Sequence, residues 1–332
     1  MSDGITAEFE IVEPMIFRGL GEFDPTVRGA YSFALTMKLP SPSTVAGAVA
    51  SALMVRGANA PKHNENWYAA YKEVLGNASF KGPFLVFGDD IMVEDRINGR
   101  FLTLEEVVQR CKKEYQSQES RDEHHQDITM SRTGIGLEVR RSGSKIAREG
   151  FLYTAEFVDY QKLGKAKTAI AVDVFGLDDK LPIINRASIR LGGEGRISLI
   201  SVSQPARLLR ELEERVWKSM NDYEGELALY VATPILIEGG QSVREYLTGW
   251  AGKLGIHFSD GKGNWLRGES GIMGAGFSIL SRRRKPIYTT VEPGSIIYLE
   301  GRFDVKTIYK QLEVGEAAGI GFGTLIPVPL TR

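Results

Sequence analysis

The last eighteen residues of the chain, G-E-A-A-G-I-G-F-G-T-L-I-P-V-P-L-T-R, begin at Gly315 and place four glycines within nine positions. Before them, Asp304 is typical of an N-cap and opens a run of helical spacing, whereas 324–328 has the pattern of a strand. Glycine has no Cβ, so such a loop lets bare backbone approach a phosphate or a neighbouring main chain.

Two interpretations of this loop compete, a dinucleotide-binding fingerprint and a tight turn packed against the chain itself. The order helix, glycine loop, strand is the reverse of a dinucleotide-binding fingerprint, whose glycines follow a strand and open a helix. That fingerprint also needs an acidic residue about 20 positions further on, and the sequence ends nine residues after Gly323. A tight αβ turn packed against its own sheet therefore stays the main alternative.

The elements that precede the loop indicate the fold of the second half. Ser242 and Glu245 form the S-x-x-E signature of a capping box, which predicts a helix that continues through Trp250. Strands are predicted from β-branched content and alternation at 226–237, 277–280, 287–291, 295–300 and 324–328. The order strand, helix, strands, helix, strand is typical of a ferredoxin-like domain.

The first half has the same order, interrupted by insertions. Its strands are predicted at 5–17, 84–87, 151–160, 168–175 and 197–202, and its helices after 40–44, around Trp67 and after the Thr103–Glu106 capping box. We therefore predict an α+β protein of two tandem ferredoxin-like (RRM-like) domains. The first covers 1–205 with insertions at about 58–166, and the second covers 206–332 and ends in the Gly-rich loop.

Composition limits the class of protein. The chain has 332 residues, 42% of them hydrophobic and 25% charged, as in ordinary globular proteins, and no apolar run of 18 residues. A cytoplasmic location is expected on this basis. The single cysteine, Cys111, excludes an internal disulfide and a multi-cysteine metal site, and its spacing predicts a buried structural thiol on a helix. No metal or cofactor is expected.

The charge is balanced overall but clustered locally. There are 41 basic and 42 acidic residues, so bulk electrostatics does not predict nucleic-acid binding. Basic side chains nevertheless gather in 132–148, 162–167 and 282–285. Three such clusters favour a basic track along one side of the protein, although a charge run is usually only a solvated face.

Several segments of the chain resemble one known family. They are P-S-P-S-T-V-A-G-A-V-A-S-A-L from Pro40, R-T-G-I-G-L-E from Arg132 with R-E-G-F-L-Y from Arg148, L-G-G-E-G-R from Leu191, V-E-P-G-S-I-I-Y from Val291, and the terminal G-I-G-F-G. Together they resemble the RAMP-superfamily subunit that pairs with the large Cas10-type subunit in type III-B CRISPR (Cmr) effector complexes. The matches keep their order from about Glu8 to Pro329, and the polar stretch 116–127 matches nothing in the family.

The resemblance implies a fold, partners and a function. It implies two ferredoxin-like domains that face each other and an RNA-binding subunit of an antiviral ribonucleoprotein. The expected partners are the 5′ tag of the crRNA, the large Cas10-type subunit and the adjacent backbone RAMP subunit. It implies no catalytic residues.

Single-stranded RNA held in a fixed register needs cations and backbone N–H groups on its phosphates. The residues that we predict to contact RNA are cations, hydroxyls and glycines that stand in or beside turns. They are Ser41, Ser43, Thr44, Arg132, Arg140, Arg141, Lys145, Gly192, Gly193, Arg196, Gly319, Gly321 and Gly323.

Each of these candidates has a structural alternative. The hydroxyls at 41–44 precede a predicted helix whose N-terminus favours an anion, but plain N-capping explains the same residues. The segment 132–145 combines glycine with charge and is interpreted as a loop that orders around RNA. Arg196 stands beside bare backbone, where a simple β-turn is the alternative, and 282–285 is interpreted as an exposed hairpin end.

The sequence favours a non-catalytic role. Related RAMP proteins that process guide RNA use metal-independent acid-base chemistry that commonly employs histidine. Of the four histidines here, His63, His124, His125 and His257, none lies in a glycine loop or on the first predicted helix. A guide-RNA-processing endoribonuclease and a pure protein-interaction adaptor remain the alternatives.

Overall fold

The computed structural model describes residues 3–19, 33–62, 66–116, 127–135, 152–193, 195–218, 220, 222–259, 265–274, 276–278 and 283–330. Within these ranges the protein is a mixed α/β structure, and all but one of the strand pairings are antiparallel. The elements of the first half are β1 (Ile5–Glu10), β2 (Phe33–Ala34), α1 (Pro42–Val55), α2 (Trp67–Leu75), β3 (Ser79–Phe87), β4 (Asp90–Asp95), β5 (Arg100–Thr103), α3 (Leu104–Gln116), β6 (Thr129–Ile135), β7 (Leu152–Val158), β8 (Thr168–Phe175), β9 (Ser188–Arg190) and β10 (Ile197–Ser203).

The first half is built on a seven-stranded sheet. Its strand order is β5-β4-β3-β8-β1-β10-β9, with β1 between β8 and β10. One face is covered by α1, whose alanines and valines between Val45 and Ala52 are buried nearly all round the helix. A separate three-stranded sheet, β2-β7-β6, lies beside it and contains the single parallel pairing, β2 with β7.

The second half begins with α4 (Arg207–Glu211), which continues into a π-helical turn at Leu212–Val216. The remaining elements are β11 (Asp222–Val231), β12 (Ile235–Ile237), α5 (Val243–Leu254), β13 (His257–Phe258), β14 (Leu266–Arg267), β15 (Ser270–Gly274), β16 (Phe277–Ser278), β17 (Arg283–Arg284), β18 (Ile287–Val291), β19 (Ile296–Asp304), α6 (Val305–Gln311) and β20 (Leu325–Pro329).

These strands form three sheets. The largest has the order β13-β19-β11-β20, and β14 also pairs with β19. A second sheet has the order β12-β18-β15, and β16 pairs only with β17. The glycine loop connects α6 to β20 and includes a short 3₁₀ turn at Ala318–Ile320.

The two halves share their cores. One buried cluster joins Phe84 and Val86 of β3 to residues of β11, β19 and β20. Where the two halves meet, the buried carboxylate of Asp173 accepts hydrogen bonds from Tyr309 Oη at 3.0 Å and from the backbone N–H of Leu209 at 2.9 Å. A side chain of the first half thus binds both α4 and α6, so α4 packs on the first sheet although the sequence assigns it to the second domain.

Most of the elements that the sequence predicts are present. Both capping boxes form, the one of Ser242 with Glu245 and the one of Thr103 with Glu106, and Asp304 caps α6 through the backbone N–H of Thr307. Cys111 is fully buried, and burial raises the pKa of its thiol.

Two predictions of extent were wrong, and one hairpin was missed. The first strand ends at Glu10 instead of Phe17, and 226–237 is divided into β11 and β12, which belong to different sheets. The hairpin β4–β5 was not predicted. Short apolar runs do not show which sheet a strand joins, because that depends on distant pairing partners.

Candidate nucleic-acid interface

The start of α1 is a closed cluster of hydroxyl groups. Ser41 is the N-cap, and its Oγ accepts a hydrogen bond from the backbone N–H of Thr44 at 3.3 Å. The same Oγ lies 3.0 Å from Ser43 Oγ and 2.9 Å from Thr44 Oγ1. Tyr71 Oη donates to the carbonyl of Ser43, so α2 fixes this turn. N-capping therefore accounts for these contacts, and phosphate binding by the three hydroxyls stays a prediction.

The terminal glycine loop is buried between the two halves. Gly321 has a φ of +103°, and a Cβ at this position would lie 2.5 Å from the carbonyl oxygen of Gly82 in β3 and 3.3 Å from Cβ of Pro42. A Cβ at Gly319 would lie 2.5 Å from Tyr68 Oη, and one at Gly323 only 2.2 Å from the carbonyl oxygen of Val314. The bare backbone approaches other parts of the same chain, so the packed-turn alternative accounts for the glycines, and an RNA contact at 319–323 stays a prediction.

Two threonines that the sequence did not single out hold this loop in place. Thr233 Oγ1 and Thr324 Oγ1 both donate to the carbonyl oxygen of Gly321, at 2.7 and 2.9 Å. Thr324 Oγ1 in turn accepts from the backbone N–H of Gly82 at 3.0 Å. Both threonines are buried. No local pattern indicates this role, because the partners come from three distant segments of the chain.

The glycine turn between β9 and β10 also packs against the chain itself. Gly192 has a φ of +82°, and a Cβ there would lie 2.5 Å from the carbonyl oxygen of Ile16, which accepts a hydrogen bond from Gly193 N at 2.9 Å. The guanidinium of Arg196 forms an ion pair with Glu13 and lies 5.0 Å from the ring centroid of Phe157. These contacts agree with the β-turn alternative. They also give Arg196 partners within the chain, and RNA contacts of Gly192, Gly193 and Arg196 stay predictions.

The arginine-rich segment, residues 132–145, was predicted to be a loop, but its first residues are a strand. Residues 132–135 form the end of β6 and pair with β7, so this part is a strand and not a loop. The prediction was wrong because the partner strand lies about twenty residues away, beyond any local pattern. The other candidates of this segment, Arg140, Arg141 and Lys145, lie outside the described residues.

The segment 36–42 connects the two groups of candidates. Thr36 Oγ1 accepts from Phe17 N at 2.9 Å, and Met37 N donates to the carbonyl of Phe17 at 2.7 Å, next to the β9–β10 turn. The chain then passes Lys38, whose pKa burial lowers, and reaches the N-cap at Ser41. Thr36 N also donates to Glu156 Oε2 of β7 at 3.1 Å. The segment 36–42 therefore contacts the β6–β7 sheet, passes the glycine turn and ends at the hydroxyl cluster.

A narrow cleft between the halves opens beside this segment, lined in part by Ser41, Arg96 and Thr233. Arg96 forms ion pairs with Glu94 at 3.0 Å and with Glu292 at 2.8 Å. Burial lowers the pKa of Arg96, but the two carboxylates raise it more, and the net shift is upward. Two carboxylates around one guanidinium leave a net negative charge, so the cleft itself does not suit a phosphate.

The cluster 282–285 is not simply an exposed hairpin end. Arg284 is exposed, but Lys285 Nζ lies 4.6 Å from the ring centroid of Trp67 and 5.5 Å from that of Tyr71. Desolvation lowers the pKa of Lys285 to about 8. The prediction was wrong for Lys285 because Trp67 and Tyr71, four residues apart on α2, offer a cation–π site.

The third basic cluster borders a groove of about 490 Å³ between 10–13 and 159–168. Lys162 Nζ donates to the carbonyl of Thr129 at 2.5 Å, and Lys167 Nζ lies 3.2 Å from Glu10 Oε2. These cations are thus engaged by neighbouring groups of the same chain. They contribute less free positive charge than their number in the sequence indicates.

One of the four histidines lies in the described part of the chain. His257 is exposed in β13, and the other three histidines lie outside the described ranges. In the part of the chain that the structure describes, no three His, Cys, Asp or Glu side chains are grouped to hold a metal ion. No helix there is long and apolar enough to span a membrane.

Comparison with known proteins decides the family. A family model described as "CRISPR-associated protein (Cas_Cmr3)" matches residues 93–330, which is most of the chain. The chain belongs to the Cmr3 family. The Cmr3 subunit of the CMR system of Saccharolobus solfataricus is 25% identical over 300 residues, covering 86% of this chain and 83% of that protein.

Solved structures agree on the fold. A chain in the type III-B Cmr-beta complex bound to cognate target RNA and AMPPnP has a TM-score of 0.62 at 18% identity, covering 96% of this chain and 95% of that one. A chain of the complex bound to cognate target RNA has a TM-score of 0.61 at 20% identity, covering 96% of each chain. The resemblance seen in the sequence is thereby confirmed at the level of the Cmr3 family.

Proposed function

We propose that this chain is a non-catalytic, RNA-binding subunit of a type III-B CRISPR ribonucleoprotein. It binds the 5′ tag of the crRNA, docks on the large Cas10-type subunit and contacts the adjacent backbone RAMP subunit in cytoplasmic antiviral defence. The observation that carries the proposal is the Cmr3-family match over residues 93–330. The likeness of fold to chains of RNA-bound Cmr-beta complexes supports it.

We also propose that each half is a ferredoxin-like, RAMP-type unit. In the first half, β1, β3, β8 and β10 follow one another in the chain and lie in the order β3-β8-β1-β10. In the second half, β11, β13, β19 and β20 lie in the order β13-β19-β11-β20. Both are the 2-3-1-4 order that a βαββαβ unit produces. The β6–β7 sheet is then an insertion in the first unit.

The proposed RNA path follows the segment 36–42. It begins at the β6–β7 sheet, after which the chain continues to Arg140 and Arg141, and it ends at the hydroxyls of Ser41 and Thr44. These two hydroxyls are partly exposed, whereas Ser43 is only 6% exposed. Single-stranded RNA on such a path would bind by phosphate contacts and by ordering of the arginine-rich segment.

A protein-interaction adaptor is the second candidate, and a specific observation favours it. Cations that the sequence offered for RNA are engaged within the chain: Arg196 by Glu13, Lys167 by Glu10, and Lys285 by Trp67 and Tyr71. An adaptor would bind neighbouring proteins and have no affinity of its own for guide RNA.

Fluorescence anisotropy of the isolated protein separates the two. A labelled guide RNA that carries the 5′ tag is titrated beside the same RNA without the tag. The proposal expects tighter binding of the tagged RNA and no cleavage of either RNA, with or without divalent metal. Equal, weak binding of both RNAs would favour the adaptor, and specific cleavage lost in His125→Ala would favour the endoribonuclease.

A further inference from the structure

The three-stranded sheet β12-β18-β15 ends in an open edge. Within the described residues β15 pairs with β18 alone. Glu292 N donates to the carbonyl of Glu269 at 3.0 Å, which makes 269 and 292 a hydrogen-bonded pair. Because such pairs alternate in an antiparallel ladder, the polar groups of Gly271 and Met273 also face β18. Those of Ser270, Ile272 and Gly274 face outward.

The other side of the sheet agrees with this alternation. Leu236 of β12 lies opposite Thr290 of β18. Its carbonyl accepts from Glu316 N at 2.7 Å, so it points away from β18. The groups of Thr290 therefore point toward β15, as the pairing with Gly271 requires. The open edge thus presents N–H and C=O groups at three alternate residues.

The outer face beside this edge is apolar. Ile272 is 64% exposed and Ile287 is 69% exposed, and the register places them diagonally on the same face. The opposite face is buried through Met273 and Tyr288. The strand S-G-I-M-G contains no charged residue and no proline. Proteins normally protect an open edge with lysine, proline or a bulge, so an unprotected edge of this kind indicates that something covers it.

The charge near the edge indicates what covers it. Next along the chain from β15 and β18, β16 and β17 pair as a separate two-stranded sheet, in which Phe277 lies opposite the exposed Arg284. Arg282 and Arg283 precede it in the sequence. A partner strand that runs along β15 toward Arg284 would therefore bind more tightly if it carried an acidic side chain at that end. RNA does not suit the strand itself, because its backbone has phosphate acceptors but no series of donors and acceptors to match the open ladder.

We propose that β15 is a docking strand for a neighbouring protein subunit. An extended segment of that subunit adds to the sheet beside Ser270–Gly274, places an apolar residue against Ile272 and Ile287, and places an acidic residue near Arg284. This inference rests on the assembly part of the proposed function and is independent of RNA binding. Main-chain hydrogen bonds supply affinity in such strand addition, and the side chains supply specificity.

Ile272→Pro is the sharpest variant. It removes an outward N–H and leaves the bonds between Gly271, Met273 and β18, and proline is tolerated on an edge strand whose N–H faces solvent. Ile272→Lys is the second variant, because a 64% exposed side chain can be replaced without burying a charge. Val55→Lys is the matched control, since Val55 is 82% exposed and stands at the end of α1, outside the sheet that contains β15.

The full chain and the affinity-purified Cmr complex assembled on it serve as the two samples. Hydrogen–deuterium exchange should show the outward amides of Ser270, Ile272 and Gly274 exchanging fast in the isolated chain and protected in the complex. Both Ile272 variants should lower the yield of one neighbouring subunit at least about tenfold, equivalent to a tenfold loss of affinity, while Val55→Lys has no effect. Thermal melting confirms that each variant folds.

Three results would overturn the inference. Equal exchange of these three amides in both samples would mean that no partner covers the edge: fast exchange would leave it open, and slow exchange would mean that the chain covers its own edge. Protection by guide RNA alone would make RNA the occupant, and a dimer of the isolated chain that Ile272→Pro dissociates in light scattering would make it a second copy. The two proposals fail separately: Ile272→Pro should keep full affinity for tagged guide RNA, and absence of RNA binding by the unmodified chain would refute only the RNA-binding part.

Discussion

Gly321→Ala tests whether the glycine loop is required for packing between the two halves. The φ of Gly321 is +103°, and an L-residue held in that region costs about 1–2 kcal/mol. The added Cβ would also lie 2.5 Å from the carbonyl oxygen of Gly82, a backbone atom that must shift, which costs about 1–3 kcal/mol more. We expect the free energy of unfolding to fall by about 2–5 kcal/mol.

Gly240→Ala is the matched control. Gly240 has a φ of +98°, but a Cβ there would have nothing within 4 Å. It should therefore lose only the conformational part, about 1–2 kcal/mol. Urea unfolding followed by the fluorescence of the four buried tryptophans measures both variants.

The difference between the two variants isolates the close approach to Gly82. If Gly321→Ala is no more destabilising than Gly240→Ala, the packing of the loop against β3 is refuted. Anisotropy with tagged guide RNA on the folded protein adds a second outcome. Unchanged affinity would leave the loop as an architectural element, and an affinity loss beyond the stability loss would support the predicted RNA contact at Gly321.

Three further predictions concern charge. Arg140→Glu with Arg141→Glu should weaken binding of the 5′ tag and reduce its salt dependence. The slope of log binding constant against log salt concentration should fall by about 0.7 for each phosphate that the variant no longer binds. An unchanged slope in anisotropy titrations would show that these arginines are only solvated surface residues. Lys81 is buried, donates to the carbonyl of Leu312 at 3.1 Å, and has its pKa lowered to about 8, chiefly by desolvation, although Glu313 raises it. Between pH 8 and its unfolded pKa near 10.4 the unfolded chain binds the extra proton at Lys81, so Lys81 should make the unfolding free energy rise by up to about 1.4 kcal/mol per pH unit. The difference in unfolding free energy between the unmodified chain and Lys81→Met should change by this amount per unit between urea titrations at pH 8.0 and 9.5, and a difference that does not change with pH would contradict it. Asp173→Asn should lower the unfolding free energy by about 2–4 kcal/mol, because the amide NH₂ would face N–H and O–H groups that now donate hydrogen bonds to the carboxylate. The same change at Asp304, an exposed helix cap, should lower it by about 1 kcal/mol or less. Equal losses in thermal melts would contradict the central role of Asp173.

The sequence alone determined the features that depend on neighbouring residues. The capping boxes of Ser242 and Thr103, the cap at Asp304 and the strand 168–175 follow from side chains within a few positions of each other, and the structure confirms them. The buried state of Cys111 followed from its place on the apolar side of α3. The family also followed from the sequence, because its motifs keep their order along the whole chain.

Only the tertiary structure decided what those motifs contact. Glycine at 321 indicates a close approach of backbone, but the partner, Gly82, lies more than two hundred residues away. Of the two threonines that hold the loop, Thr324 is three residues from Gly321, whereas Thr233 comes from a distant segment. The same reason explains why Arg196 binds Glu13 and why Lys285 packs on Trp67. A local pattern fixes the backbone conformation that a residue prefers, whereas its partner is selected by packing between distant segments, which no local pattern contains.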